Sequence, residues 1–552
     1  MNLPNPALVT QRAVQRLPRI ALLLFCAAYV LPGLFGRDPW RGADITAFGY
    51  MLSIAQGQSG WLTPTVNGLP PETAVLPFWL GAAAIKLLSF AIEPALAARL
   101  PFAMLLVSVL MLTWYSSYHL ARTDAAQPVP FAFGGEADPV DYARAMADGA
   151  LLALIATLGL LQLGHETTPE LLQLASVTLF LYALAASAFL STKPKIAMML
   201  ALPALAASGA PSVAVALGVA GSVLCWNSSY STAQRFAIWI AASAVLAAAV
   251  AVALGAWGWR VGRFHDMAQV LAILKEFTWF LWPGWPLALL TFWRWRRQWL
   301  KRHIAAPVVI LSISVMTSVA MGGSDRALLL GLPALAVLAA FSLPTLKRGA
   351  AAAIDWFSVF FFSSSAIVIW VIYVAMQTGT PARPAANVAR LVPGFTAPFS
   401  ATELLVACLA TLAWMGLVQW RTGRNRHPLW KSMVLPASGV ALCWLLLMTL
   451  WLPLLNHARS YRPLIEQIAL HVARGSCVAT NNVVRGQGVA LEYFAGYRVE
   501  TAQTPDTTSC GFWLRQELRL TPLPAPPAWE LVARVNRPTD KDEVTAIYRK
   551  LP

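Results

Sequence analysis

Apolar positions in this chain come as long unbroken runs, most of them roughly 17 to 25 residues, from about Arg19 to about Leu455. A run of that length covers roughly 30 Å of hydrocarbon as a helix, and a helix satisfies its own backbone polar groups without water. The runs begin near residues 20, 98, 146, 170, 197, 211, 234, 276, 304, 327, 355, 401 and 433, which predicts about thirteen spanning helices. A secretory signal is a single short run and does not account for the pattern.

Three segments depart from it. Pro77 to Leu96 is apolar but interrupted by Lys86 and Glu93, and counting it as a crossing would invert every later loop; it is expected to lie along the membrane surface as one helix, a true crossing being the alternative. Arg122 to Arg144 is polar and carries Pro128, Pro130, Gly134, Gly135 and Pro139, which predicts a mobile cytoplasmic loop. From about His457 the chain turns polar. Tyr461 to Arg474 has helical periodicity, Cys477 to Thr480, Tyr497 to Thr501 and Trp529 to Val535 read as strands, and Gln487 to Phe494 reads as a short helix. The expected division is a transmembrane part, 1–455, with a first outer loop at about 37–97, and a small α/β domain, 456–552.

Composition agrees with a bilayer as solvent, at 58% hydrophobic and 12% charged residues. The net charge of +16 raises the question of nucleic acid, which the placement of the basic residues answers. They sit between apolar runs: Arg12, Arg16 and Arg19; Lys193 and Lys195; Arg294, Arg296, Arg297, Lys301 and Arg302; Lys347 and Arg348; Arg421, Arg424, Arg426 and Lys431. Such clusters mark cytoplasmic loops, so membrane lipids and not nucleic acid are the expected partner. An odd number of spans from a basic N-terminus puts the tail outside, in the periplasm of a bacterial inner-membrane protein. Of six cysteines, only Cys477 and Cys510 lie in the polar tail, where an oxidising compartment would let them pair; two free thiols are the alternative.

Carboxylates beside hydrocarbon are costly and mark candidate sites. The first outer loop carries Asp38 and Asp44, then an amphipathic stretch from Ile45 to Gln56, then Trp61-Leu62-Thr63-Pro64 and Asn67-Gly68. These features resemble the aminoarabinose transferase and protein O-mannosyltransferase relatives, C-type (GT-C) membrane glycosyltransferases that use polyprenyl-phosphate sugars. Their first outer loop has an Asp-Glu pair, a surface helix, and a motif similar to Trp61–Gly68. Counting back from Trp61 aligns Asp44 with the Asp of the pair, while Ile45 stands in place of the Glu, and Asp38 is held in reserve. Pro70-Pro71-Glu72 resembles the segment that follows, without its Lys. His165-Glu166-Thr167-Thr168-Pro169-Glu170 resembles the second outer loop, with Glu170 opening the next helix, and Ser324-Asp325-Arg326 resembles an Arg-Tyr segment with Ala327 in place of the Tyr.

The resemblance implies a mainly α, polytopic GT-C fold and an inverting transfer of a sugar from a polyprenyl-phosphate carrier to a lipid, glycan or protein acceptor. Asp44, or Asp38, would be the base toward the acceptor. Arg326, Arg260 and Arg263 would hold the leaving phosphate, and Glu170, Glu166, His165 and Glu72 would orient sugar or acceptor. No cofactor is required by this chemistry; the histidines His165 and His265 leave a divalent metal open, though lone histidines at a wet interface are usually polar contacts. Plainer roles stand beside these. Asp44 could cap its helix, Glu170 could answer a helix dipole, Arg326 could anchor at the interface, and Asp38 could pair with Arg37 or Arg41. The rival functions are a transporter or lipid flippase, which calls for charged or broken helices at mid-membrane, and a non-catalytic relative that only binds polyprenyl lipid.

Overall fold

The computed structural model describes residues 6–72, 75–258, 261–262, 266–422, 428–501, 504, 507–521, 523–540 and 542–551. Seven of its helices are long and apolar enough to cross a membrane: Pro94–Ala121, Pro169–Ala186, Ser231–Ala253, Arg302–Ala320, Arg348–Thr378, Ala401–Arg421 and Lys431–Leu450. Shorter apolar helices, among them Arg19–Val30 and Pro211–Trp226, pack with them. The chain is a mainly helical, multi-pass membrane protein.

The expected runs are not all single helices. The run near 276 is divided into Met267–Phe280 and Gly284–Arg294, because Pro283 has no amide to donate and its ring clashes with the turn before it. The run near 327 is divided into Asp325–Leu329 and Leu332–Ser342, with Pro333 tolerated in the first turn of the second helix. The segment 77–96 is also two elements: Leu76–Leu88 ends before Glu93, and the helix from Pro94 is the start of a long span. Pro94 accounts for the boundary, since the residue before a proline is disfavoured in helical conformation.

Helix Pro94–Ala121 runs roughly 42 Å at 1.5 Å per residue, so its ends define two faces of the molecule. At its C-terminal end the loop expected to be mobile is ordered. The amide of Ala137 donates to the Val9 carbonyl, that of Gln11 to Gly135, and that of Val129 to Ala7. The N-terminal segment thus forms a strand-like edge for the loop, which supplies the backbone partners a free loop would take from water. Trp430 Nε1 donates to the Gln15 carbonyl, and Pro6 lines one cavity with Arg294 and Arg297, so these basic clusters gather on this face.

The opposite face carries the first loop, with helices Ala43–Ala55 and Leu76–Leu88, and the chain's C-terminal sheet. Strands β1 (Cys477–Asn481), β2 (Arg498–Thr501), β3 (Phe512–Leu518), β4 (Trp529–Val535) and β5 (Glu543–Lys550) are ordered β2-β1-β3-β5-β4. β1 is parallel to β2 and β3, while β5 runs antiparallel to β3 and β4. Sequence periodicity missed β3 and β5. One sheet face packs Val478, Leu514 and Ile547 into the main core with helices Arg462–Ala469 and Arg485–Ala495; the other closes over Trp513, Trp529 and Tyr548. Cys477 and Cys510 are bonded, joining the start of β1 to the residue two before β3, with Cα atoms 5.0 Å apart.

The sheet unit sits on the first loop by close approach. A Cβ placed on Gly49 would come within 2.2 Å of Val489 Cγ2, so helices Ala43–Ala55 and Arg485–Ala495 meet at a spot only glycine allows. Asn67, in the Trp61–Gly68 motif, is left-handed at φ 51°, and its carbonyl accepts from Thr501 Oγ1. The motif is therefore a contact for the C-terminal sheet unit.

Candidate functional site

Asp44 lies in the first turn of Ala43–Ala55, two residues after the N-cap position, Gly42, and it is 2% exposed. It does not cap the helix. Its Oδ2 accepts from the Trp40 amide at 3.1 Å and faces Arg37 Nη2 at 3.5 Å, while its Oδ1 accepts from the Thr167 amide at 2.8 Å and the Thr167 hydroxyl at 2.7 Å. Burial alone would raise its pKa; the charges of Arg37 and Arg99 and the two bonds from Thr167 outweigh it and hold the carboxyl below the usual carboxylate range.

The neighbours of Thr167 face the other way. Arg326 Nη2 donates to Glu166 at 2.7 Å, and its Nη1 reaches Glu170 and Thr168 Oγ1, each at 3.3 Å. Burial opposes the charge of Arg326, but Glu170 and Glu166 more than offset it and raise its pKa further. One short loop, Glu166 to Glu170, therefore joins the Asp44 cluster to the Arg326 cluster: Thr167 bonds Asp44, while Glu166, Thr168 and Glu170 bond Arg326. A second bridge runs through Trp40, whose ring lies 5.0 Å from both Arg37 and Arg459; Arg459 donates to Gln162, and Gln162 to Glu166.

The remaining expected residues have these places. Asp38 pairs with neither Arg37 nor Arg41: Arg462 grips it with two bonds of 2.9 and 2.6 Å, so it ties the first loop to the C-terminal sheet unit. Glu72 is 69% exposed at its side chain and lies 3.7 Å from Arg485, which enters from that same unit. His165 has both ring nitrogens against backbone carbonyls, of Leu161 at 2.6 Å and Tyr29 at 2.9 Å, and burial pushes its pKa down to about 4. It shapes the loop and has no nitrogen left to orient a substrate. Arg260, Arg263 and His265 lie outside the described residues.

Sequence reasoning missed Arg37, Thr167, Arg459, Arg462 and Arg99. Arg99 had a usable signal, a cation inside an apolar run. Thr167 had none, because its role depends on where a distant loop folds.

No protein-family model matches the sequence, and no curated protein matches it. Among solved structures, ArnT from Cupriavidus metallidurans bound to undecaprenyl phosphate is similar at a TM-score of 0.60 and 12% identity, over 96% of each chain. The same protein in the apo state is similar at 0.60 and 13%, again over 96% of each chain. The likeness extends through the C-terminal sheet unit as well as the helices, and it establishes this chain as a multi-pass membrane protein with the C-type glycosyltransferase fold seen in ArnT.

Proposed function

We propose that the chain is a glycosyltransferase that moves a sugar from a polyprenyl-phosphate carrier to an acceptor at the periplasmic face of a bacterial inner membrane. The observation that carries this reading is the Glu166–Glu170 loop, which draws a buried carboxylate and a carboxylate-flanked arginine from distant parts of the chain to one end of the helix bundle. A transporter would need such groups at mid-membrane. The undecaprenyl phosphate bound to ArnT supports a polyprenyl-phosphate carrier for this chain too.

In the reaction, an acceptor oxygen attacks the anomeric carbon. The new C–O bond forms as the bond from that carbon to the phosphate oxygen breaks, and the electron pair leaves with the polyprenyl phosphate. Phosphate is a good leaving group and needs no acid. Asp44 takes or orients the proton of an acceptor hydroxyl, which requires that hydroxyl to replace the Thr167 Oγ–H on Oδ1. Arg326 holds Glu166 and Glu170 toward the sugar. Lipid A is one acceptor of the right kind for an aminoarabinose-transferase-like enzyme; other glycans and proteins are the others.

The test is a transfer assay in membranes with labelled polyprenyl-phosphate sugars. Transfer by the wild type, lost at least a hundredfold in Asp44→Asn with the protein still folded, is the expected result. No transfer to any lipid, glycan or protein acceptor, or full activity in folded Asp44→Asn, contradicts it.

A further inference from the structure

Arg326, the cation expected to hold the donor phosphate, is already flanked by two carboxylates. Arg99 is not. It lies near the outer end of the span Pro94–Ala121, is 5% exposed, and among the described residues has no carboxylate within ion-pair distance. Its one hydrogen bond there is a long one, 3.4 Å, to the Leu34 carbonyl. A guanidinium in that state, at the edge of hydrocarbon, calls for an anionic partner.

The surroundings favour an anion. Arg99 feels Arg37 and Asp44, and more weakly Asp38. Asp38 is held by Arg462, and Asp44 already accepts four contacts. Arg37 has a fully buried side chain whose Nε and Nη1 have no hydrogen-bond partner among the described residues. Three guanidiniums, Arg37, Arg99 and Arg462, thus stand near two carboxylates, Asp38 and Asp44.

Arg99 also lines a cavity of about 20 Å³ between helices Arg19–Val30 and Pro94–Ala121. Its other walls include Val30, Leu34, Phe102, Leu106 and His165. A water needs roughly 10–15 Å³ by this measure, so the space admits a phosphate oxygen and excludes a sugar ring. Leu31, just past helix Arg19–Val30, and Met104 and Val107 on Pro94–Ala121 are exposed apolar side chains close in sequence to the cavity's walls, a surface that a bilayer would cover. An anion on a hydrocarbon chain can reach Arg99 along that surface without leaving the bilayer.

We infer that Arg99, with Arg37 adding charge behind it, binds the phosphate of a lipid-linked phosphate monoester that enters between helices Arg19–Val30 and Pro94–Ala121. This rests on the transferase reading for its purpose and assigns the carrier's phosphate to Arg99 in place of Arg326. The ligand's source is the lipid headgroup; free phosphate shares the chemistry but not the apolar approach.

The test is equilibrium binding of undecaprenyl phosphate to the full chain in lipid nanodiscs, with undecaprenol and inorganic phosphate as separate probes. Undecaprenyl phosphate should bind, undecaprenol should bind at least tenfold more weakly, and inorganic phosphate should not bind at the same concentrations. Arg99→Gln should weaken the lipid phosphate at least tenfold and Arg99→Lys should restore part of the loss, while Arg326→Gln should change it by less than about threefold. Should Arg99→Gln not fold, Ala103→Phe narrows the same cavity from a partly exposed position and should weaken binding by as much. Unchanged binding in folded Arg99→Gln or Ala103→Phe, equal binding of undecaprenol, or equally tight inorganic phosphate overturns the inference. Binding through Arg99 without any sugar transfer overturns the transferase reading alone; transfer with Arg99→Gln binding unchanged overturns this inference alone.

Discussion

Replacing Thr167 with Val separates the structural use of Asp44 from its chemical use. Valine keeps the shape and the amide bond to Asp44 Oδ1 at 2.8 Å but deletes the hydroxyl bond at 2.7 Å. A hydrogen bond to a buried charge contributes about 1.5–3 kcal/mol, and the added methyl returns about 0.8 kcal/mol, leaving a net loss of about 1–2 kcal/mol. Asp44→Asn is harsher. It removes the charge facing Arg37 and turns one amide donor toward N–H groups, as in breaking a buried ion pair, at about 3–5 kcal/mol. Thermal unfolding of the detergent-solubilised protein should therefore rank wild type above Thr167→Val and Thr167→Val above Asp44→Asn. Transfer activity should divide differently: Thr167→Val keeps kcat within about fivefold, because the acceptor hydroxyl takes the vacated place on Asp44, while Asp44→Asn loses at least a hundredfold. If folded Thr167→Val loses as much activity as Asp44→Asn, the acceptor does not displace this hydroxyl, and the reasoning fails.

Other consequences follow from the same contacts. Asp44 titrates below the usual carboxylate range, so its stabilisation is complete above an unfolded pKa of about 3.9 and is lost only as pH falls through the lower folded value; the difference in unfolding temperature between wild type and Asp44→Asn should be constant from pH 7 to 5, and a steep change in that window contradicts the lowered pKa. Gly49→Val cannot be placed against Val489 and should release the C-terminal sheet unit to limited proteolysis, whereas a protease-resistant Gly49→Val argues against the close helix approach. Cys477→Ser opens a loop of 33 residues and should cost about 3–4 kcal/mol, seen as early unfolding of the sheet unit; an unchanged transition speaks against a structural role for the bond.

The membrane fold was legible because long apolar runs and basic loops follow from bilayer physics alone. Helix breaks were harder to read: Pro283 and Pro94 divide runs that hydropathy treats as continuous. β3 escaped because Phe512–Leu518 mixes Arg515 and Glu517 with apolar residues, and those charges pair with each other and with Tyr548 of β5 across the sheet. Within the site, Asp44, Glu166, Glu170 and Arg326 were all visible as costly charges in short loops. What joins them was not visible, since Thr167 contributes an amide and a hydroxyl that many threonines have. Asp38 was read as the reserve base or as a local partner of Arg37 or Arg41, yet its partner is Arg462, which lies in another part of the chain, and only the docking of the sheet unit brings it near.

A double-mutant cycle in the transfer assay tests whether the two charge clusters form one site. Asp44→Glu and Arg326→Lys each keep their charge while shifting its position, and each should slow transfer. Because both lean on the Glu166–Glu170 loop, the double variant should lose far less than the product of the single losses. Losses that simply multiply, with all three variants folded, would mean that Asp44 and Arg326 act independently and that the loop does not unite them.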